Sequence, residues 1–363
     1  MKRIFGILLG AIILTLAVQC SNPASSDNKR PQVIVDQAIM EDTVWESGKD
    51  YVVKGEVAIS ENAVLRINRD VTVILDIDSN GEKGKLVVSG SILAVGDAEK
   101  QINFETMNNN KTGLGINLTK CRIAPLFYYC RFVGLPYGIN MTDSNLKVSE
   151  CLFDQCVHGL DINESDSVSV SNSIFDNNST GLKVELSSVN LDTGIVIKSC
   201  SFLDCAQSGV DINQKCHAIV RDNLFEGCAV GLSVTWESNI RIEYNDFSNC
   251  IISIFYDKWS NGQVSKNNFS SVDDHISMNT YCQLDINQNN LYQAGKYKIR
   301  MGYSNANMQI NASNNWWDTT YEDVILKSIY DSSDQGATEN NGVVIYQPFE
   351  TNIIAGCGSR TTN

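Results

Sequence analysis

Residues 221–250 read RDNLFEGCAVGLSVTWESNIRIEYNDFSNC, and within them Asn223-Leu224-Phe225 returns 22 positions later as Asn245-Asp246-Phe247. Working outward in both directions, the same phenylalanine position recurs as Phe132, Phe153, Phe175, Phe202, Phe225, Phe247 and Phe269. The intervals are 21, 22, 27, 23, 22 and 22 residues, and Leu291 continues the series. Two positions before these residues stand Cys130, Cys151, Ser173, Cys200, Asn223, Asn245, Asn267 and Asn289, a column of small side chains that can hydrogen-bond. A fixed period in this range marks an architecture made by stacking one small unit on itself.

Most of the phenylalanines are followed by a glycine and then by strict alternation: Gly138-Ile139-Asn140-Met141, Gly159-Leu160-Asp161-Ile162, Gly181-Leu182-Lys183-Val184, Gly209-Val210-Asp211-Ile212 and Gly231-Leu232-Ser233-Val234, with Gly115-Ile116-Asn117-Leu118 beginning the series. Period-two alternation describes a strand with one buried face, and a glycine ahead of it suggests a turn with positive φ. A second alternating strand follows in most coils, as in Val168/Val170, Ile240/Ile242 and Leu284/Ile286, so each coil holds about three short strands. So short a coil cannot bury its own apolar face. Stacked in parallel at about 4.8 Å, coils place like residues over like and create a continuous core. The expected fold is therefore all-β, a parallel β-helix with about 22 residues per coil. Leucine-rich repeats would need spaced Leu motifs and a helix-forming arc, and neither is present.

Asn-x-Phe followed by Gly-Ile/Leu-x-Ile/Val resembles the right-handed β-helix repeats of the pectin-lyase-like superfamily, over residues 45 to 349. Leu65-Arg66-Ile67 and the stretch from Gly84 to Gly90 are similar to the opening coils of such proteins. Asn314-Asn315-Trp316-Trp317 and the stretch from Gly342 to Phe349 are similar to their closing coil and cap, with Asp318 where many members carry glycine. The resemblance implies a right-handed solenoid, and it makes the sheet after the glycines the first place to look for a polysaccharide groove.

The chain starts with Lys2 and Arg3 and an apolar run from Ile4 to Val18, short for a membrane span and suited to a signal segment. Leu16-Ala17-Val18-Gln19-Cys20 resembles a bacterial lipobox, with Gln19 departing from the usual small residue. The expected order is a signal peptide over 1–19, a lipidated Cys20 with a polar tether over 20–44, the β-helix with its cap over 45–349, and a tail over 350–363. This places the mature chain, expected to be a monomer, in a bacterial cell envelope on a lipid anchor. A net charge of −14 argues against nucleic acid, because a phosphate backbone requires a basic face. Carboxylate excess makes calcium a plausible mediator of polyanion contact.

Beyond Cys20 there are eleven cysteines, so complete internal pairing is impossible. Cys156, Cys205, Cys228 and Cys250 each lie three residues after their phenylalanine. Stapling or metal ligation is one reading. A ladder of small buried thiols is preferred, since stacked side chains point the same way and no CxxC pair is present.

Alternation after the glycine leaves one outward column: Asn117, Asn140, Asp161, Lys183, Asp211, Ser233, Phe255, Ser277 and Arg300. A second comprises Thr119, Thr142, Asn163, Glu185, Asn213, Thr235, Asp257 and Asn279. Together they form a polar strip. Lys183 stands one coil from Asp161 and from Asp211, about 5 Å from each if the register holds. Two readings follow. Lys183 could be the base of a calcium-assisted polysaccharide lyase, with Asp161 and Asp211 on the ion and Glu185 or Asn213 assisting. Alternatively Asp161-Lys183-Asp211 is a solvated ladder that relieves stacked charge. The second reading is preferred, because no fuller lyase or polygalacturonase signature is present and Asp273-Asp274-His275 is too short to be one. His158, His217 and His275 share no column, which disfavours a histidine metal site. Trp236, Phe255, Trp259 and Tyr281 gather just after the strip and offer faces on which sugar rings stack, whereas Tyr256 alternates inward. Trp316 and Trp317 are expected to close the stack. The leading functional expectation is thus a non-catalytic surface that binds glycan, or a surface protein, through Asp161, Asn163, Glu185, Asp211, Asn213, Trp236, Phe255 and Trp259.

Overall fold

The computed structural model describes residues 30–107, 111–187, 194–302, 307–334, 336–337 and 341–360, so the leader and Cys20 lie outside the described residues. From Pro31 onward the chain winds through three parallel sheets of 12, 12 and 13 strands, called A, B and C in the order each coil visits them. One coil shows the pattern: Leu224–Glu226 lies in sheet A, Val230–Val234 in sheet B and Asn239–Glu243 in sheet C, before Asp246–Ser248 re-enters sheet A. The fold is a right-handed parallel β-helix.

The phenylalanines form one interior file. Phe104 extends it upstream, and every ring from Phe104 through Phe132 to Phe269 is at most 2% exposed. Successive centroids are 4.6–5.0 Å apart with planes within 12° of parallel, the spacing that the strands impose. At the corner from sheet C to sheet A, the fully buried Asn223, Asn245, Asn267, Asn289 and Asn315 form a ladder. Each of the first four donates from Nδ2 to Oδ1 of the next at 3.0 Å, and its backbone N–H uses the same acceptor at 2.8–3.0 Å. Asn315 thus adds a rung beside Trp316. Burial of so many amides is tolerated because their hydrogen bonds are made within the stack.

The expected positive φ holds at Gly115, where it is 62°, but the rest of the glycine column has a different cause. Gly138, Gly159, Gly181, Gly209 and Gly231 have ordinary φ. A Cβ on any of them would stand 2.6–3.0 Å from a phenylalanine Cδ1 and 2.4–2.8 Å from the carbonyl oxygen of the next coil. The Phe file occupies that volume. Positive φ belongs instead to non-glycine corner residues such as Glu150, Asn172, Ser199, Asp222, Tyr244 and Lys266, each just before the ladder column. Such backbone costs roughly 1–2 kcal/mol apiece outside the stack, and the ordered hydrogen bonds on both sides hold it in place.

The ordered stack reaches beyond the boundaries read from the sequence. Gln32–Val35, inside the stretch read as a tether, pairs in parallel with Asp50–Val53. Residues 354–360, inside the stretch read as a tail, run back along the sheet C to sheet A corner, with Asn290, Asn268, Asp246 and Asp222 as partners. At the closing end Trp317 is fully buried, and the short helix Glu322–Lys327 buries Ile325 against the core. The eleven cysteines from Cys121 to Cys357 are free thiols, nine of them buried. Burial pushes the Cys156, Cys200 and Cys282 thiols up to about 12, so they pack as small apolar groups.

Candidate functional site

Sheet B aligns the outward column residue by residue: Asn117 with Asn140, Asn140 with Asp161, Asp161 with Lys183, Lys183 with Asp211, Asp211 with Ser233, Ser233 with Phe255, Phe255 with Ser277, and Ser277 with Arg300. In the adjoining column Asn163 aligns with Glu185 and Glu185 with Asn213. The fold therefore assembles the charged centre of the strip from three successive coils.

The charges within it pair differently from expectation. Lys183 Nζ lies 3.0 Å from Glu185 Oε2, two residues along its own strand, and makes no ion pair with Asp161 or Asp211. Asn213 Nδ2 donates to the other oxygen of Glu185 at 3.1 Å. Asp161 is only 8% exposed. Burial raises its pKa, aided by Glu185 and Asp211 and opposed by Lys183. Burial likewise raises Asp211, against a hydrogen bond from Ser233 and the charge of Lys183. For Lys183, burial works against the ammonium, but the Glu185 contact followed by Asp161 and Asp211 raises its pKa overall. Lys183 is thereby held charged against Glu185, which opposes its accepting a proton. Asp161 and Asp211 stand on either side of the Lys183 coil, about 9.6 Å apart by strand spacing, too far to share one calcium. Among the described residues no group of three or more His, Cys, Asp or Glu side chains could hold a metal ion.

Two residues flank the strip, Tyr137, which the sequence reading passed over, and His158, which it weighed only as a metal ligand. Tyr137 and His158 align one position before the glycines and stack at 4.9 Å and 15°. Burial and then Asp161 raise the Tyr137 pKa, while burial and then Lys183 lower that of His158. Reading the columns one residue further toward the turn would have set Tyr137 over His158. At the far end, Arg300 borders a cavity of about 450 Å³ with Asp273, Asp274, Lys296, Tyr297 and Tyr330. There Lys296 pairs with Asp273 at 2.7 Å and Arg300 approaches the buried Asp274 at 3.8 Å.

The aromatic residues occupy the corner between sheets B and C. Trp236, Trp259 and Tyr281 are 45%, 52% and 43% exposed. Their backbones take positive φ of 56°, 60° and 50°, placing them on tight turns of successive coils. Trp259 and Tyr281 are stacked with their planes 9° from parallel and centroids 6.3 Å apart, and Lys258 Nζ sits 3.8 Å above the Trp236 ring. Phe255 is half-buried on the strip. Tyr256 is fully buried as expected, and Gly262 leaves room for its hydroxyl, which lies 2.7 Å from the position a Cβ would take.

Stacked coils, an interior aromatic file and an amide ladder define the parallel β-helix class. A family model described as "Right handed beta helix region" matches residues 158–347, more than half of the chain, and the chain belongs to that family. No curated protein matches it by sequence. Among solved structures it is similar to the A-module of mannuronan C-5 epimerase AlgE4 of Azotobacter vinelandii, with 10% identity, 92% of this chain and 90% of that one covered, and a TM-score of 0.32. It is also similar to the AlgE6 A-module of the same organism, with 11% identity, 89% coverage of each chain and a TM-score of 0.28.

Proposed function

We propose that this protein is an exported, lipid-anchored β-helix that binds glycan through the sheet B strip and the aromatic corner without cleaving it. The observation that carries the reading is the corner itself, where three large rings from successive coils are exposed and two of them stack in parallel. Exposed aromatic faces of this size are uncommon on a surface that has no use for them, and they suit the apolar faces of sugar rings. The strip beside them presents carboxylate, ammonium and amide groups already engaged with one another, an arrangement fit for orienting hydroxyls rather than for moving protons. Depletion binding against a panel of insoluble and soluble polysaccharides tests the reading. At least one polymer is expected to bind without releasing reducing ends or unsaturated products, and Trp236→Ala/Trp259→Ala is expected to weaken it about tenfold or more. Product formation, or binding indifferent to both tryptophans, overturns it. Palmitate labelling that disappears in Cys20→Ser tests the anchor.

A further inference from the structure

The outward face of sheet C, on the other side of the aromatic corner, carries a groove of about 570 Å³ in the last coils. One of its columns is Asn239, Asn261 and Gln283, aligned strand to strand, with Gln309 on the following strand. The adjoining column aligns Gln263 with Asp285 and Asp285 with Asn311. Asp285 is the one acid among these lining residues, and Asn311 Nδ2 donates to it at 2.8 Å. The side chains of Asn239, Asn261, Gln263, Gln283 and Gln309 have no hydrogen-bond partner among the described residues. Gln263, Gln283 and Gln309 are exposed, and Asn239 and Asn261 are half-buried. In a chain of net charge −14 this patch carries five unpartnered neutral amides and one carboxylate held by a sixth. Each amide offers two donors and an acceptor, a set that matches a hydroxyl, which both gives and receives.

We infer that this groove is a second binding face, for an uncharged, extended polysaccharide running along the stack axis with its rings against Trp259 and Tyr281. The inference rests on the glycan reading above and assigns a ligand class to a different sheet. Amides repeat at about 4.8 Å from coil to coil, a spacing close to the rise of one sugar in an extended chain. The residues lining the groove include no cation, Arg241 standing one strand beyond Gln263 at its edge, so a polyanion has little to pair with along its length.

Titration calorimetry with cellohexaose and hexagalacturonate, on the chain from residue 21 onward, tests the proposal. Cellohexaose is expected to bind, and hexagalacturonate to bind at least tenfold more weakly. Asn261→Ala/Gln283→Ala removes two unpartnered side chains, should leave the melting temperature unchanged, and should weaken cellohexaose about tenfold. Loss of cellohexaose binding in Trp259→Ala but not in Asn261→Ala/Gln283→Ala overturns the groove and leaves the corner as a glycan contact. Tighter binding of hexagalacturonate overturns the ligand class. Failure to bind cellohexaose, while a polysaccharide of the wider panel binds, overturns the inference and leaves the proposed function standing.

Discussion

Replacing Gly181 with alanine separates two explanations of the glycine column. A Cβ there would stand 2.5 Å from the carbonyl oxygen of Gly209 and 2.9 Å from Cδ1 of Phe202. Neither neighbour can yield easily. The oxygen belongs to the backbone of the next coil, and the Phe202 ring is held between Phe175 and Phe225 at 4.8 and 5.0 Å. Overpacking costs about 1–3 kcal/mol, and an obstacle made of backbone places Gly181→Ala at the upper end, about 3 kcal/mol. Gly134 is the control. Its φ is 67° and nothing lies within 4 Å of an added Cβ, so Gly134→Ala incurs only left-handed strain, about 1 kcal/mol. Urea unfolding followed by circular dichroism compares the two, and amide exchange around residues 180–212 locates the loss, since repeats in a solenoid open locally. A Gly181→Ala protein no less stable than Gly134→Ala would refute the steric account.

Three further outcomes follow from the same geometry. Asn267→Ala leaves the N–H and Nδ2 of Asn245 without their shared acceptor in a fully buried ladder, and should cost about 3 kcal/mol in the same urea assay. A loss under 1 kcal/mol would mean the ladder is ornamental. Arg360 donates to Asp222 at 2.6 and 3.0 Å and lies 3.6 Å over Tyr244, but it is half-exposed. Arg360→Ala should therefore cost only about 1 kcal/mol, seen as faster exchange of residues 354–360, with the coils unaffected. Burial lowers the His275 pKa to about 3, so from pH 6.5 downward the unfolded chain takes up a proton that the folded chain refuses. Stability must then fall with acidification between about 6.5 and 3, by up to about 1.4 kcal/mol per pH unit, and His275→Ser should remove that part of the slope. Parallel pH profiles of the two proteins would contradict the burial argument.

Register was the most legible feature of the sequence, for a physical reason. Where strands alternate with period two and corners have fixed length, a one-residue slip would turn the whole buried set outward. Hence Asn117 through Arg300 aligned as read. Side-chain partners were less legible. Lys183 has a long flexible stem and reaches Glu185 diagonally, whereas the short Asp161 is packed almost out of solvent, and column spacing says nothing about that choice. The cause of the glycine column was also hidden, because the obstacle is a ring contributed by the preceding strand of the coil and by its neighbours. The docking of residues 354–360 was invisible, as several of its bonds join main-chain atoms of the tail to Asn290, Asn268 and Asp246, and a main-chain atom leaves no mark in composition.

The amides carry the argument from fold to function. Asn267 and Asn261 belong to the same stretch of chain, six residues apart, yet their surroundings are opposite. Asn267 is fully buried, with Nδ2 donating to Ile242 O at 3.0 Å, Ser265 O at 2.9 Å and Asn289 Oδ1 at 3.0 Å, and Oδ1 serving Asn245, so no capacity remains for a ligand. Asn261 repeats coil by coil with Asn239 and Gln283, on a face where its amide meets no protein partner among the described residues. Stability explains the first column completely and the second not at all. A solenoid needs only solubility from its outer face, and Lys or Glu would supply that at least as well as asparagine and glutamine. A run of unengaged neutral amides beside stacked exposed rings is therefore a feature whose physical sense lies in what it can hold.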